Sequence, residues 1–193
     1  MRSGRRRLAR AAIALAAIAL LSACANRPPV DLSAQFTPPS GHWLAPPPAT
    51  PARPVCRVAL SGLHDQRVDP NAMGDIGGRM VHAADAPGWV RSGLQSLSRD
   101  PRIAVVDGAA DLTLDVDIVK AYSLSITMEK SITVVLRVRF AHGGSAPDEQ
   151  VFRGVDTATN WVSGADETQI GFDDALRQII EALDAQIVAR CAA

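Results

Sequence analysis

The sequence predicts an α+β domain: a mainly antiparallel sheet of about five strands with two helices packed on one face, in the order β-α-β-β-β-β-α. Three observations carry this. Residues 112–119 and 132–140 alternate apolar with mainly polar side chains at period two, as strands with one covered face do. A C-terminal segment sets Phe172, Leu176, Ile179, Ile180, Leu183, Ile187 and Val188 on one helical stripe, which supplies the cover. The stretch from about residue 55 to 191 has the length of one domain and shows no internal repeat.

The elements follow in order. Residues 55–63 (VCRVALSGL) put Cys56, Val58 and Leu60 on one face and read as a strand. Residues 64–86 read as a loop. In APGWVRSGLQSLSRDP, Asp85 is a candidate cap, Pro87 sits near a helix start, and Trp89, Val90, Leu94 and Leu97 recur at helical spacing until Asp100-Pro101. RIAVV (102–106) is a short strand turned by Asp107-Gly108. The two alternating strands come next. After HGGSAPDE a further strand covers 151–161, and a helix of about twenty residues closes the chain. Trp89 and Trp161 read as core anchors.

The N-terminus is of another kind. Arg2, Arg5, Arg6, Arg7 and Arg10 precede the apolar run AAIALAAIALL, and Ser22-Ala23 are small, which describes a secretory signal over residues 1–23. The apolar run is about half the ~20 residues a spanning helix needs. Leu21-Ser22-Ala23-Cys24 resembles the lipobox of bacterial lipoproteins. That resemblance implies a diacylglycerol thioether on Cys24 and an acylated amino group, with palmitate among the fatty chains. One chain holds only marginally and two or more make a lasting anchor. Ala25, rather than an aspartate, follows the cysteine. By analogy with lipoprotein sorting in Gram-negative bacteria, this favours the outer membrane, facing the periplasm. Residues 24–54 hold nine of the chain's 13 prolines and read as an extended, semi-rigid tether, leaving 55–193 as the periplasmic domain. With His42 and Trp43 as its only hook, the proline-rich stretch also has a reading as a ligand for another domain.

Twenty basic and twenty acidic residues balance in the whole chain. Removing the signal takes five arginines and no acids, so the mature protein is acidic, with a formal charge of about −5. That makes nucleic acid a poor partner, and the membrane is reached through the anchor. If Cys24 carries lipid, Cys56 and Cys191 remain, at the two ends of the domain. In an oxidising compartment two leftover thiols usually pair; the alternative is two buried free thiols.

The lipobox, the proline-containing tether, HDQRVDP after the first strand, the central strands and the amphipathic last helix together resemble the YajG-like family of bacterial lipoproteins. A related layout occurs in PqiC-like auxiliary lipoproteins of envelope ABC-type transport systems. The resemblance implies a periplasmic domain hung from a membrane and brings no catalytic constellation. The cysteine pair and the glycine-rich GDIGG depart from it.

Asp65, Arg67, Asp69 and Gly77 are the candidates for partner or ligand contact, because they lie in the long loop and long loops are often functional. Against this, Asp65 can cap a turn and pair with Arg67. GDIGG can form an anion nest but lacks the lysine-serine ending of a phosphate loop. Asp111, Asp115 and Asp117 suggest a metal and fit a solvated strand face better; His42, His64, His82 and His142 lack paired ligand spacing. No metal, cofactor or catalytic residue is expected. The leading expectation is a non-enzymatic lipoprotein that binds a protein partner in the envelope. The alternatives are an accessory of a lipid-transport system, with an apolar groove between helices and sheet, and a hydrolase built on Ser61, His64 and His82.

Overall fold

The computed structural model describes residues 28–38, 44, 56–126, 128–143, 146–159 and 164–192. Cys24, the signal segment, His42, Trp43, Trp161 and most of the tether lie outside them. The class is α+β, with two helices and eight strands among the described residues. The strands are β1 (Val30–Leu32), β2 (Cys56–Asp65), β3 (Ala72–Ile76), β4 (Arg79–Ala83), β5 (Ile103–Val105), β6 (Leu112–Ile126), β7 (Glu129–His142) and β8 (Asp148–Thr159). The helices are α1 (Ala86–Gln95), which runs on into a 3₁₀ turn, and α2 (Ala165–Cys191).

Long β6 organises the sheet. Antiparallel β7 occupies one of its edges from end to end and in turn pairs with antiparallel β8. Two short strands therefore share the other edge. Parallel β2 lies beside residues 112–118, with parallel β5 outside it, and β3 meets the outer half of β6 at Gly74 and Ser123. The hairpin partner β4 and then β1 continue outward from β3. Path β5-β2-β6-β7-β8 contains the five strands the sequence predicts. Three strands are additional, and four of the seven pairings are parallel, so the sheet is mixed, with its two longest ladders, β6–β7 and β7–β8, antiparallel as expected.

Each additional strand has a local cause. Residues 64–86, read as one loop, hold the β3–β4 hairpin. Its two-residue turn, Gly77-Gly78, has φ of 60° and 75°, the left-handed pair that a tight hairpin turn requires. Strand β1 comes from the tether. Val30 and Leu32 are buried, β1 pairs parallel with β4, and Arg79 Nε donates to the Pro28 carbonyl at 2.9 Å. Phe36 and Leu44, also from the tether, are buried in the core, and the Phe36 and Thr37 amides donate to Ser92 Oγ and Asp173 Oδ2. The first part of the proline-rich segment is thus bound along the domain.

The helices form one layer on one face of the sheet. Asp85 caps α1, its Oδ1 accepting from the Gly88 amide at 2.7 Å. The stripe Phe172, Leu176, Ile179, Ile180, Leu183 and Ile187 on α2 is fully buried. Trp89 stands edge-on to Phe172, with centroids 6.0 Å apart, and its Nε1 donates to Asp173 at 2.7 Å. Burial pushes the Asp173 carboxyl above its usual range against the hydrogen bonds from Trp89, Gln169 and Thr37. Helix α2 runs longer than the expected twenty residues because a polar first turn, with Asp166 and Glu167 suited to the helix N-terminus, precedes the stripe. Cys56 and Cys191 are joined in a disulfide, Cα–Cα 5.8 Å, tying β2 to the end of α2.

Candidate functional site

With the helices on one face, the opposite face of β6, β7 and β8 carries no helix among the described residues, and it divides into two halves. The division is made by a bulge. Pairing of β6 with β7 slips between Ile118 and Lys120, so the alternation breaks at Val119 and resumes shifted by one. Before the bulge the outward residues are Thr113, Asp115 and Asp117. After it they are Lys120, Tyr122, Leu124 and Ile126.

The first half is ionic. Arg139 lies between the two carboxylates: Nη2 is 2.9 Å from Asp115 Oδ2 and Nη1 is 2.8 Å from Asp117 Oδ2. Arg137 approaches Asp117 at 3.6 Å and Glu149 at 3.5 Å, and His64 Nε2 is 3.2 Å from Asp115 Oδ1. Hydrogen bonding to Arg139, opposed by burial, holds the Asp117 carboxyl below its usual range, and the two carboxylates keep Arg139 firmly protonated. His64, Asp115 and Asp117 offer ligand atoms within 4.8 Å of one another, but the guanidinium already supplies their counter-charge. Asp111 lies apart, accepting from the Arg57 amide.

The second half is apolar. Tyr122, Leu124, Ile126, Met128, Met80 and Val68 are exposed. Between the β3–β4 hairpin and this part of β6–β7 runs a groove of about 630 Å³, walled by Val68, Met80, Val119, Tyr122 and Val135, with Arg67 and Asp69 at its rim. The hairpin is fixed to β6 by close backbone approach. Gly74 has φ of 101°, a Cβ there would lie 2.0 Å from the Ser123 carbonyl oxygen, and Ser123 Oγ donates to the Met73 carbonyl.

The loop of HDQRVDP joins the halves. Arg67, its side chain only 4% exposed, donates Nε and Nη2 to the two oxygens of Asp65 at 2.9 and 2.7 Å. It also donates to the Pro70 and Ala72 carbonyls. Burial works against ionisation of Asp65, and its bonds to Arg67 outweigh that and lower its pKa. Asp69 Oδ1 accepts from the Asn71 and Ala72 amides. The structure therefore gathers Asp65, Arg67 and Asp69 on one shaped loop, with Arg67 and Asp69 on the groove. Gly77 stands apart, in the hairpin turn. Ser61, His64 and His82 do not converge: Ser61 Oγ donates to the Leu114 carbonyl, His64 faces Asp115, and His82 lies 3.9 Å from Asp31.

No family model matches the chain, and no curated protein matches it. Among solved structures it is similar to protein XCC0632 from Xanthomonas campestris, described as DUF330. The TM-score is 0.57 at 16% identity, over 76% of this chain and 92% of that one. What the two share is the fold. Looser likenesses of outline are hypothetical protein CT253 from Chlamydia trachomatis (TM-score 0.45, 10% identity, 70% and 95% covered) and rare lipoprotein B from Shewanella oneidensis (0.41, 10%, 69% and 93%).

The apolar half is what sequence reasoning missed. Its signal was present in AYSLSITM, where Tyr122, Leu124 and Ile126 alternate with serines. Without the bulge, that phase turns them inward.

Proposed function

We propose that this protein is a lipid-anchored lipoprotein of the outer membrane, non-enzymatic, whose domain binds a protein partner in the cell envelope through the groove beside the β3–β4 hairpin. One observation carries the reading. The side chains offering chemistry, Asp65 with Arg67 and Asp115 and Asp117 with Arg139, are bonded to one another. What faces outward beside them is an apolar wall. Such a surface suits recognition of apolar side chains, with the Asp65–Arg67 pair and the Asp69 turn holding the loop that edges it. Among the described residues no helix is long and apolar enough to cross a membrane, and the anchor proposed on Cys24 would supply the attachment. The test is a photo-crosslinking residue at Val68 or Met80 in intact cells, with Arg153 as control. A discrete protein adduct from the groove positions alone is expected; no adduct from any position counts against the reading.

A second reading has its own observation. The groove is wide and mainly apolar, as an accessory lipoprotein of an envelope transport system needs for a hydrophobic cargo. The place expected for such a cargo, between helices and sheet, is instead filled by the buried stripe of α2. Native extraction followed by mass spectrometry separates the readings: lipid that leaves on Met80→Glu favours transport.

A further inference from the structure

The course of β1 fixes which end of the domain meets the bilayer, and this inference rests on the anchoring reading. Strand β1 starts at the tip of the β3–β4 hairpin. Pro28 is held by Arg79, the first residue after the Gly77-Gly78 turn, and β1 then runs parallel to β4 away from that tip. Cys24 is four residues before Pro28, so the two Cα atoms are at most about 14 Å apart. The bound part of the tether leaves no room for a stand-off of tens of ångströms.

The same tip lies level with the outer end of β6. Arg79 pairs with Ile76, and Gly74, two residues back, pairs with Ser123. Pro28 is thus about three strand spacings, ~14 Å, from β6 near Ser125. Strand β3 is parallel to β6, so both hairpin tips point the same way. That end carries Leu124, Ile126 and Met128, exposed by 45%, 63% and 57%, with Met80 and Tyr122 just behind.

We infer that the two hairpin tips form a membrane-contact surface, with Leu124, Ile126 and Met128 set into the headgroup layer and the groove opening beside it. The occupant is the lipid bilayer that holds Cys24. The neighbouring charges are mixed, Lys120 and Arg79 against Glu129 and Asp75. Attachment is therefore by apolar insertion and is insensitive to salt.

The test uses the full chain, made with its signal, purified and reconstituted in phosphatidylethanolamine–phosphatidylcholine vesicles with brominated acyl chains. Ile126→Trp is compared with Val151→Trp, an exposed position that pairs with Arg137 in the ionic half, about 30 Å back along the strands. Emission of the Ile126→Trp protein is expected to fall about twofold more than that of Val151→Trp. Equal quenching at both positions, or none at either, overturns the inference. The mass of the Cys24 peptide reads the anchor separately. Acylated protein quenched equally at both positions leaves the anchor standing and the orientation wrong. Unacylated protein quenched selectively at 126 sinks the anchor and upholds the surface.

Discussion

The two halves of the open sheet face are made by the same strands, β6 and β7, and do opposite things. In the inner half, alternation sends Asp115, Asp117, Arg137 and Arg139 outward, where they bind one another. In the outer half, a one-residue slip at Val119 sends out Tyr122, Leu124 and Ile126, which are exposed. In the inner half most of the charge is paired within the surface, Asp115 Oδ1 alone lacking a hydrogen bond and facing His64 Nε2 at 3.2 Å. The outer half loses apolar exposure when something covers it. A bulge is a small change in a ladder, and here it separates an ionic surface from an exposed apolar one.

The comparison can be broken first at Gly74. Gly74→Ala forces a side chain onto the Ser123 backbone at a positive φ. It should cost about 3 kcal/mol or more and free the hairpin that walls the groove. Chemical denaturation read beside hydrogen exchange of β3 and β4 checks this; full stability with the groove intact would refute the close-packing account.

Next comes the loop between the halves. Arg67→Ala leaves Asp65 and two carbonyls without their donor and should cost about 2–3 kcal/mol. The pH dependence has a sign. Asp65 has a lowered folded pKa, so its contribution is present above 3.8 and disappears as pH falls through the folded value. Arg67→Ala should therefore cost most at neutral pH, and the gap between the two proteins should narrow as pH falls through the lowered Asp65 value, leaving the part due to the Pro70 and Ala72 carbonyls. Melting curves across pH 2–7 distinguish this from a uniform loss.

A smaller change sharpens the ionic half. Asp117→Asn removes a charge whose pKa Arg139 lowers, so Tm should drop by a few degrees at pH 7 and little at acid pH. Groove crosslinking should be unaltered. Smallest in stability is the triple change Leu124→Ser, Ile126→Ser, Met128→Ser. These residues are exposed, so unfolding free energy should move by about 0.5 kcal/mol or less per site, while bilayer contact is lost. A large destabilisation would mean the outer half belongs to the core.

Much of the fold was legible because its elements obey one period each. The α2 stripe, the Asp85 cap and the inner halves of β6 and β7 needed no tertiary information. The three additional strands did. Strand β1 is three residues in a proline-rich run, and its burial depends on β4 being there to receive it. Strands β3 and β4 are short, but Gly77-Gly78 between Ile76 and Arg79 is a two-residue hairpin signal that sequence reasoning set aside as an anion nest. Of the candidate site, Asp65, Arg67 and Asp69 were found by their place in the long loop. Their neighbours on the groove were not, because apolar residues in alternation are assigned to the inside, and only the slip at Val119 puts them outside.

The anchoring of Pro28 by Arg79 also has a mechanical meaning. A pull on the N-terminus acts along the axis of β1, so it loads the bonds to β4 in shear, all together, instead of unzipping them one at a time. Tension at the front of the chain is delivered through β4 to the sheet.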